Sequence, residues 1–191
     1  MSTILVTGAN GQLGNEMRNM SLLDDANKYI FTDVRELDIT DLVAVQNFLS
    51  ENAVDFIVNC AAYTAVDKAE SEIELCRKIN AFAVENLAKA SASVGAKMIH
   101  VSTDYVYSGT HYMPYVETDA VAPASVYGVT KLEGEQLLLA ANPNSVILRT
   151  SWLYSPYGNN FVKTMIRLGK ERESLGAIFD QIGTPTYARD L

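Results

Sequence analysis

Tyr127 and Lys131 stand four residues apart, about one helical turn, so a helix would send both side chains from one face. An ammonium beside a phenol favours phenolate and lowers the phenol's pKa. A phenol tuned in this way can protonate a forming alkoxide, and the lysine can also hold the ribose of a dinucleotide. Tyrosine and lysine share many solvated helix faces, so the pair takes its meaning from what precedes it.

Upstream, Gly8-Ala9-Asn10-Gly11-Gln12-Leu13-Gly14 directly follows the apolar run Ile4-Leu5-Val6-Thr7 and opens an amphipathic stretch. Glycines there permit a tight turn and the close approach of a pyrophosphate. Free N–H groups at the helix start would bind that anion despite the chain's net charge of −8. Gly8, Asn10, Gly11, Gln12, Leu13 and Gly14 are therefore candidate cofactor residues, with the spacing Gly-x-x-Gly-x-x-Gly rather than Gly-x-Gly-x-x-Gly.

Asp33 closes the next apolar run, about 20 residues beyond Gly14, where a carboxylate would accept hydrogen bonds from an adenosine ribose. That acid favours NADH, whereas Arg35 could meet a 2′-phosphate, so both NADPH and NADH stay open. Asp33 could also be a plain turn residue. Asp38 and Ile39 could lie near the adenine, and Thr40 is expected to cap the following helix. Ala61, Ala62 and Tyr63 follow the third run, and the small residues would let backbone pass close to a ligand.

The elements that must position these residues alternate. Candidate strands at Thr3 to Thr7, Tyr29 to Thr32, Asp55 to Asn59, Lys97 to Val101 and Ser145 to Leu148 are separated by helical periodicity. The helical stretches are Gln12 to Met20, Asp41 to Glu51, Glu70 to Ser93 and Ser125 to Ala141. This βαβ rhythm predicts an α/β fold with a Rossmann-type doubly wound parallel sheet. In Rossmann strand order, strands one and four flank the switch point, so Ser102, Thr103, Asp104 and Tyr105 would share a crevice with the glycine turn. A hydroxyl at Ser102 or Thr103 could then hydrogen-bond a substrate carbonyl while Tyr127 protonates it.

Asn80 interrupts an apolar stripe of Ile73, Cys76, Ala83 and Leu87. A buried amide needs partners: Asn80 could organise a water that links Lys131 to solvent as a proton relay, or simply satisfy a backbone carbonyl. His100 in a strand and His111 in a loop have no triad partner or ligand spacing, and Ser125 is read as a helix cap. No metal site is assigned.

With 48% hydrophobic residues in 191, the chain can bury a full core. Its apolar runs are too short to span a bilayer and its amino terminus lacks a cationic apolar leader, so no membrane or export step is expected. Cys60 and Cys76 fit neither a metal set nor a disulfide scaffold, which suits the cytoplasm. Net negative charge without a Lys/Arg cluster argues against a nucleic-acid surface. Regular alternation lapses at Tyr154 to Asn160 before a helical pattern resumes at Phe161 to Leu168. This sets a dinucleotide-binding domain at 1–153 and the start of a substrate lobe at 154–191. Tyr187 to Leu191 read as a helix beginning, hence a truncated lobe.

The glycine turn, Val101-Ser102-Thr103-Asp104-Tyr105-Val106-Tyr107 and Tyr127-Gly128-Val129-Thr130-Lys131 together resemble the extended short-chain dehydrogenase/reductase superfamily, and within it the dTDP-4-dehydrorhamnose reductase family. Asn59 to Asp67, Arg149-Thr150-Ser151-Trp152, Asn159-Asn160-Phe161 and Asp180-Gln181-Ile182-Gly183-Thr184-Pro185-Thr186 extend the resemblance through nearly the whole chain. It implies reduction of the C4 ketone of dTDP-6-deoxy-L-lyxo-4-hexulose to dTDP-L-rhamnose by NADPH or NADH. By the same resemblance Thr103, Tyr127 and Lys131 would be catalytic. Ser102, Asp104, Tyr105, Trp152, Gln181, Pro185 and Thr186 would lie toward the sugar nucleotide. Sugar-nucleotide dehydratases of this superfamily carry Asp-Glu after the threonine; Asp104-Tyr105 here leaves reduction or epimerisation. Mg2+ at a subunit contact is implied only by resemblance, and a homodimer stays open, as does a nucleotide-binding regulatory subunit of the methionine adenosyltransferase type.

Overall fold

The computed structural model describes residues 1–110, 112–179 and 181–191. The loop placement of His111 and the first residue of the 180–186 motif, Asp180, lie outside the described residues. Five parallel strands, β1 (Thr3–Thr7), β2 (Lys28–Thr32), β3 (Phe56–Asn59), β4 (Lys97–Thr103) and β5 (Val146–Thr150), form one sheet in the order β2-β1-β3-β4-β5. The helices between them are α1 (Gln12–Ser21), α2 (Leu42–Glu51), α3 (Val66–Ala69), α4 (Ile73–Arg77), α5 (Ala83–Val94) and α6 (Val126–Ala141). The expected Rossmann-type α/β architecture is present.

The strand order corrects one expectation. The direction in which strands are added reverses at β1, with β2 on one side and β3 on the other, so β3 rather than the fourth strand adjoins the glycine turn, and β4 lies one strand further out. Leu37-Asp38-Ile39 forms no strand, because the Asp38 carboxylate accepts from the Thr40 backbone and hydroxyl and closes a local turn.

Register places Leu5, Ile57 and Met98 side by side. They face Val45 and Leu49 of α2, Val84, Leu87 and Ala88 of α5 and Leu138 of α6 in one buried cluster. α2, α5 and α6 pack next to one another on this face, whereas α1 packs on β1 and β2. A right-handed crossover from β1 to β2 puts α1 on the opposite face.

The helical stretch expected over Glu70 to Ser93 runs without a gap from Ile73 to Val94. α4 runs into a π-turn at Lys78–Phe82 before α5 begins. Within it, the Asn80 carbonyl projects at Gly134 of α6, where an added Cβ would stand only 2.1 Å away. Past β5, β6 (Leu153–Tyr154) pairs in parallel with β7 (Thr186–Tyr187), and α7 (Phe161–Glu171) lies between them in sequence. The Tyr154 and Tyr187 rings stack at 5.4 Å, and the chain then turns, with Asp190 N–H donating to the Tyr187 carbonyl.

Candidate active site

Gly8 leaves β1 with φ +65, and a Cβ there would stand 2.6 Å from the Ala61 nitrogen of the β3 loop. A Cβ on Gly14 would stand 2.5 Å from Cα of Ala9. These two glycines let the turn fold flat onto its neighbours, and α1 then begins at Gly11 with no side chain capping it. Its first N–H groups are left for a ligand. In front lies a cleft of about 430 Å³ lined by Gly8, Gly11, Asp33, Asp38, Ile39, Ala61 and Ala62. Cys60 lines it beside Ala61 and Ala62, and Leu75 and Lys78 also line it and went unnoticed in sequence. The glycine cradle, the uncapped helix start and the cleft together fit the pyrophosphate and adenosine of a dinucleotide.

Several side chains of the turn serve the fold. Asp33 accepts from the backbone N–H groups of Asn10 and Val34 at 3.2 and 2.8 Å, tying the turn to β2. Gln12 is bound to Leu153 O, Ser155 and Asn160, and the Leu13 side chain is buried, so neither side chain lines the cleft. The cap of α2 is Asp41, which accepts from Ala44 N–H, not Thr40. Tyr63 donates its hydroxyl to Glu72 at 2.6 Å and so turns from the cleft.

β4 ends at Thr103, whose hydroxyl accepts from Tyr105 N–H and faces the phenol of Tyr127. Ser125 caps α6 by accepting from Gly128 N–H, as its position suggested. α6 comes close because Gly128 has no Cβ: one would stand 2.3 Å from the Tyr105 carbonyl. The Tyr105 and Tyr127 rings meet edge to face at 5.5 Å. Burial pushes the Tyr127 phenol up to about 12, opposed by the Thr103 hydrogen bond. Burial likewise raises Asp104 and Tyr105. The expected acidification of the phenol by Lys131 is absent in this arrangement. Lys131 is turned inward, 1% exposed, with Nζ donating to Val101 O at 2.7 Å and 3.2 Å from His100 Nε2. Burial lowers its pKa to about 8.

Two further expectations change. Ser102 points away from Thr103 and donates its hydroxyl to Glu135, which also holds Arg149 through a two-point contact at 2.6 and 3.0 Å. Alternation along a strand sends neighbours to opposite faces, so Thr103 alone of the two hydroxyls meets Tyr127. Asn80 accepts from Tyr63 N–H at 2.8 Å and donates to Tyr63 O at 3.1 Å. Its amide secures the loop after β3, which is the structural alternative. A second cleft of about 650 Å³ is lined by Asp104, Tyr107, Arg149, Ser151, Gly183 and Thr184. Trp152 packs on Phe161 at 5.2 Å and against Gly183, while Gln181 and Pro185 are exposed and Thr186 lies in β7. Among the described residues no His, Cys, Asp and Glu cluster could hold a metal ion, and no helix is long and apolar enough to cross a membrane.

A parallel α/β sheet with a glycine turn at the switch point and a Tyr-x-x-x-Lys helix beside it is the frame of a nucleotide-binding Rossmann-type protein. A family profile described as the RmlD substrate binding domain matches residues 1–191, and the chain belongs to that family. It is 45% identical over 191 residues to a dTDP-4-dehydrorhamnose reductase of Aggregatibacter actinomycetemcomitans, matching all of this chain and 65% of that protein. It is 49% identical to that of Escherichia coli K12, over 98% of this chain and 64% of the relative. The crystal structure of dTDP-4-dehydrorhamnose reductase from Bacillus anthracis in complex with NADP superposes with a TM-score of 0.95 at 46% identity, covering all of this chain and 68% of that one. The chain thus spans just under two thirds of the length of these two curated relatives.

Proposed function

We propose that this chain carries the cofactor-binding and proton-donating half of a reductase that converts the C4 ketone of dTDP-6-deoxy-L-lyxo-4-hexulose to the alcohol of dTDP-L-rhamnose. The observation that carries it is the Thr103 hydroxyl facing a neutral Tyr127 phenol at the sheet end that also bears the glycine cradle. NADPH or NADH would be held by the backbone of Gly8 to Gly14, with Ala61, Ala62, Asp38 and Ile39 around the adenosine. A reduced nicotinamide bound there supplies the hydride. Tyr127 stays protonated through neutral pH and can give its proton to the carbonyl oxygen, while Thr103 orients that oxygen. Residues 1–153 act as the dinucleotide domain, and 154–191 contribute to a substrate lobe through Trp152 at its edge, Gln181, Pro185 and Thr186. The work is done in the cytoplasm, by a homodimer.

The reductases named among the relatives and the NADP-bound neighbour support this reading. The test is product analysis by NMR, with the 4-keto sugar nucleotide and each reduced cofactor. Tyr127→Phe is expected to lower turnover about 10²–10⁴-fold with cofactor affinity retained. Unchanged turnover in that variant rejects the phenol as the acid.

A further inference from the structure

A line of buried polar side chains crosses the sheet beneath α6 and ends on Lys131: Thr7 of β1, Asn59 of β3 and His100 of β4, each at most 1% exposed. Register builds it, since Thr7 pairs with Asn59 and Asn59 with His100. Thr7 Oγ1 donates to Asn59 Oδ1 at 2.7 Å. Asn59 Nδ2 lies 2.9 Å from His100 Nδ1, and His100 Nε2 lies 3.2 Å from Lys131 Nζ.

Proton positions along this line follow by elimination. The backbone N–H of Ala61 donates to Asn59 Oδ1 at 3.1 Å, which fixes that atom as the amide oxygen. Nδ2 must therefore donate, and Nδ1 of His100 accepts and carries no proton. A neutral imidazole with a bare Nδ1 has its proton on Nε2, aimed at Lys131. An ammonium has donors only and cannot accept that N–H; a neutral amine can, through its lone pair, while still donating to Val101 O.

We propose that His100 is a positioning residue for Lys131, holding the side chain inward only as the neutral amine, so that uptake of a proton by Nζ drives the ammonium outward, away from His100 and toward solvent. One proton passes from solvent to Nζ, the Nε2–H···Nζ hydrogen bond breaks, and the imidazole keeps its own proton. The proposal rests on the Tyr127–Lys131 site described above and adds to it a switch on the availability of the lysine. Besides His100, the titratable groups acting on Nζ are Glu135 of α6 and Cys76 of α4; both favour the charged form, and burial outweighs them. His100 itself is held well below its ordinary 6.5 by burial and then by Lys131, so it stays neutral while the amine titrates.

The chain has two histidines, so long-range 1H–15N NMR resolves both rings, and a His111→Gln sample assigns them. The expected result is an Nε2–H tautomer for His100 that persists well below pH 6.5, with one step in its 15N shifts near pH 8 as Nζ titrates. That step is lost in Lys131→Met. An Nδ1–H tautomer, ordinary imidazole titration, the absence of the step, or its survival in Lys131→Met overturns the proposal. A second arm follows NADPH affinity by fluorescence against pH, with His100→Phe expected to move the alkaline limb upward by about one pH unit and an unmoved limb counting against it. If neither protein binds NADPH or NADH at any pH, the reductase reading fails, and the NMR arm, which needs no cofactor, still decides the role of His100.

Discussion

Thr103 and Ser102 are adjacent hydroxyls with opposite environments, and that difference separates chemistry from support. Thr103 faces Tyr127 and donates its hydroxyl to Asp104 at 3.1 Å; under the proposed function that hydroxyl would turn to the carbonyl oxygen, and Thr103→Val should then cost about 10²–10³-fold in kcat, measured with the 4-keto sugar nucleotide. Ser102 instead feeds Glu135, which is 3% exposed and clamps an Arg149 that also donates to the Tyr107 hydroxyl at 2.7 Å. Removing one member of such a pair leaves the other poorly solvated. Glu135→Leu should cost about 2–4 kcal/mol in urea unfolding, below the fully buried case because the Arg149 side chain is 24% exposed. The double variant Glu135→Leu, Arg149→Leu should recover most of that loss, since the desolvation of an unpaired charge, rather than the pair's own attraction, dominates the single change. A double variant no more stable than the single one would contradict this.

α6 is the element on which the site depends, and two glycines let it sit where it does. A Cβ on Gly134 would meet the Asn80 carbonyl, a backbone atom that cannot rotate away. Gly134→Ala should therefore destabilise by roughly 1–3 kcal/mol. Gly169 in α7, where an added Cβ meets nothing within 4 Å, should gain about 0.5–1 kcal/mol as alanine; denaturant midpoints compare the two directly. The same elements mark where the sequence was readable. The glycine turn, Tyr127 with Lys131 and the boundaries of α1, α2 and α6 follow from local spacing and caps, which a single stretch of chain carries. The π-turn at Lys78–Phe82 sets its Asn80 carbonyl against Gly134 of α6, and no periodicity within the helix announces it. Ser102 and Thr103 both reach α6, Ser102 at Glu135 and Thr103 at Tyr127, so which hydroxyl meets the phenol depends on where that helix lies along β4. The inward turn of Lys131 involves His100 and Asn59 from two strands, and Lys78 enters the cleft from the helical segment that follows β3. Such facts belong to pairs of elements, so a residue pattern cannot hold them.

For the whole molecule, buried titratable groups set how stability follows pH. Lys131 has its folded pKa depressed from 10.5 to about 8, so between these values the unfolded chain binds more protons than the folded one and stability rises with pH. Below about 8 both states hold the proton and the full penalty of burying the charge applies. The gap corresponds to an upper limit of about 3 kcal/mol, reduced to the extent that the ammonium escapes toward solvent. Cys60 acts in the opposite sense: burial raises its thiol from 9.0 to about 12, so above 9 the folded state holds the extra proton and stability falls. Tyr29 and Tyr127, both raised to about 12, add to that fall beyond 10. His100 works at the acid side, where its depressed pKa means that stability is lost as pH drops below 6.5. The window from 8 to 9 therefore belongs to Lys131. Urea unfolding across it should show wild type gaining on Lys131→Met by up to about 1.4 kcal/mol per pH unit, with the difference levelling above 10.5. Parallel curves for the two proteins across that window would mean that the amine is not buried neutral, and the inward arrangement with His100 would fall with it.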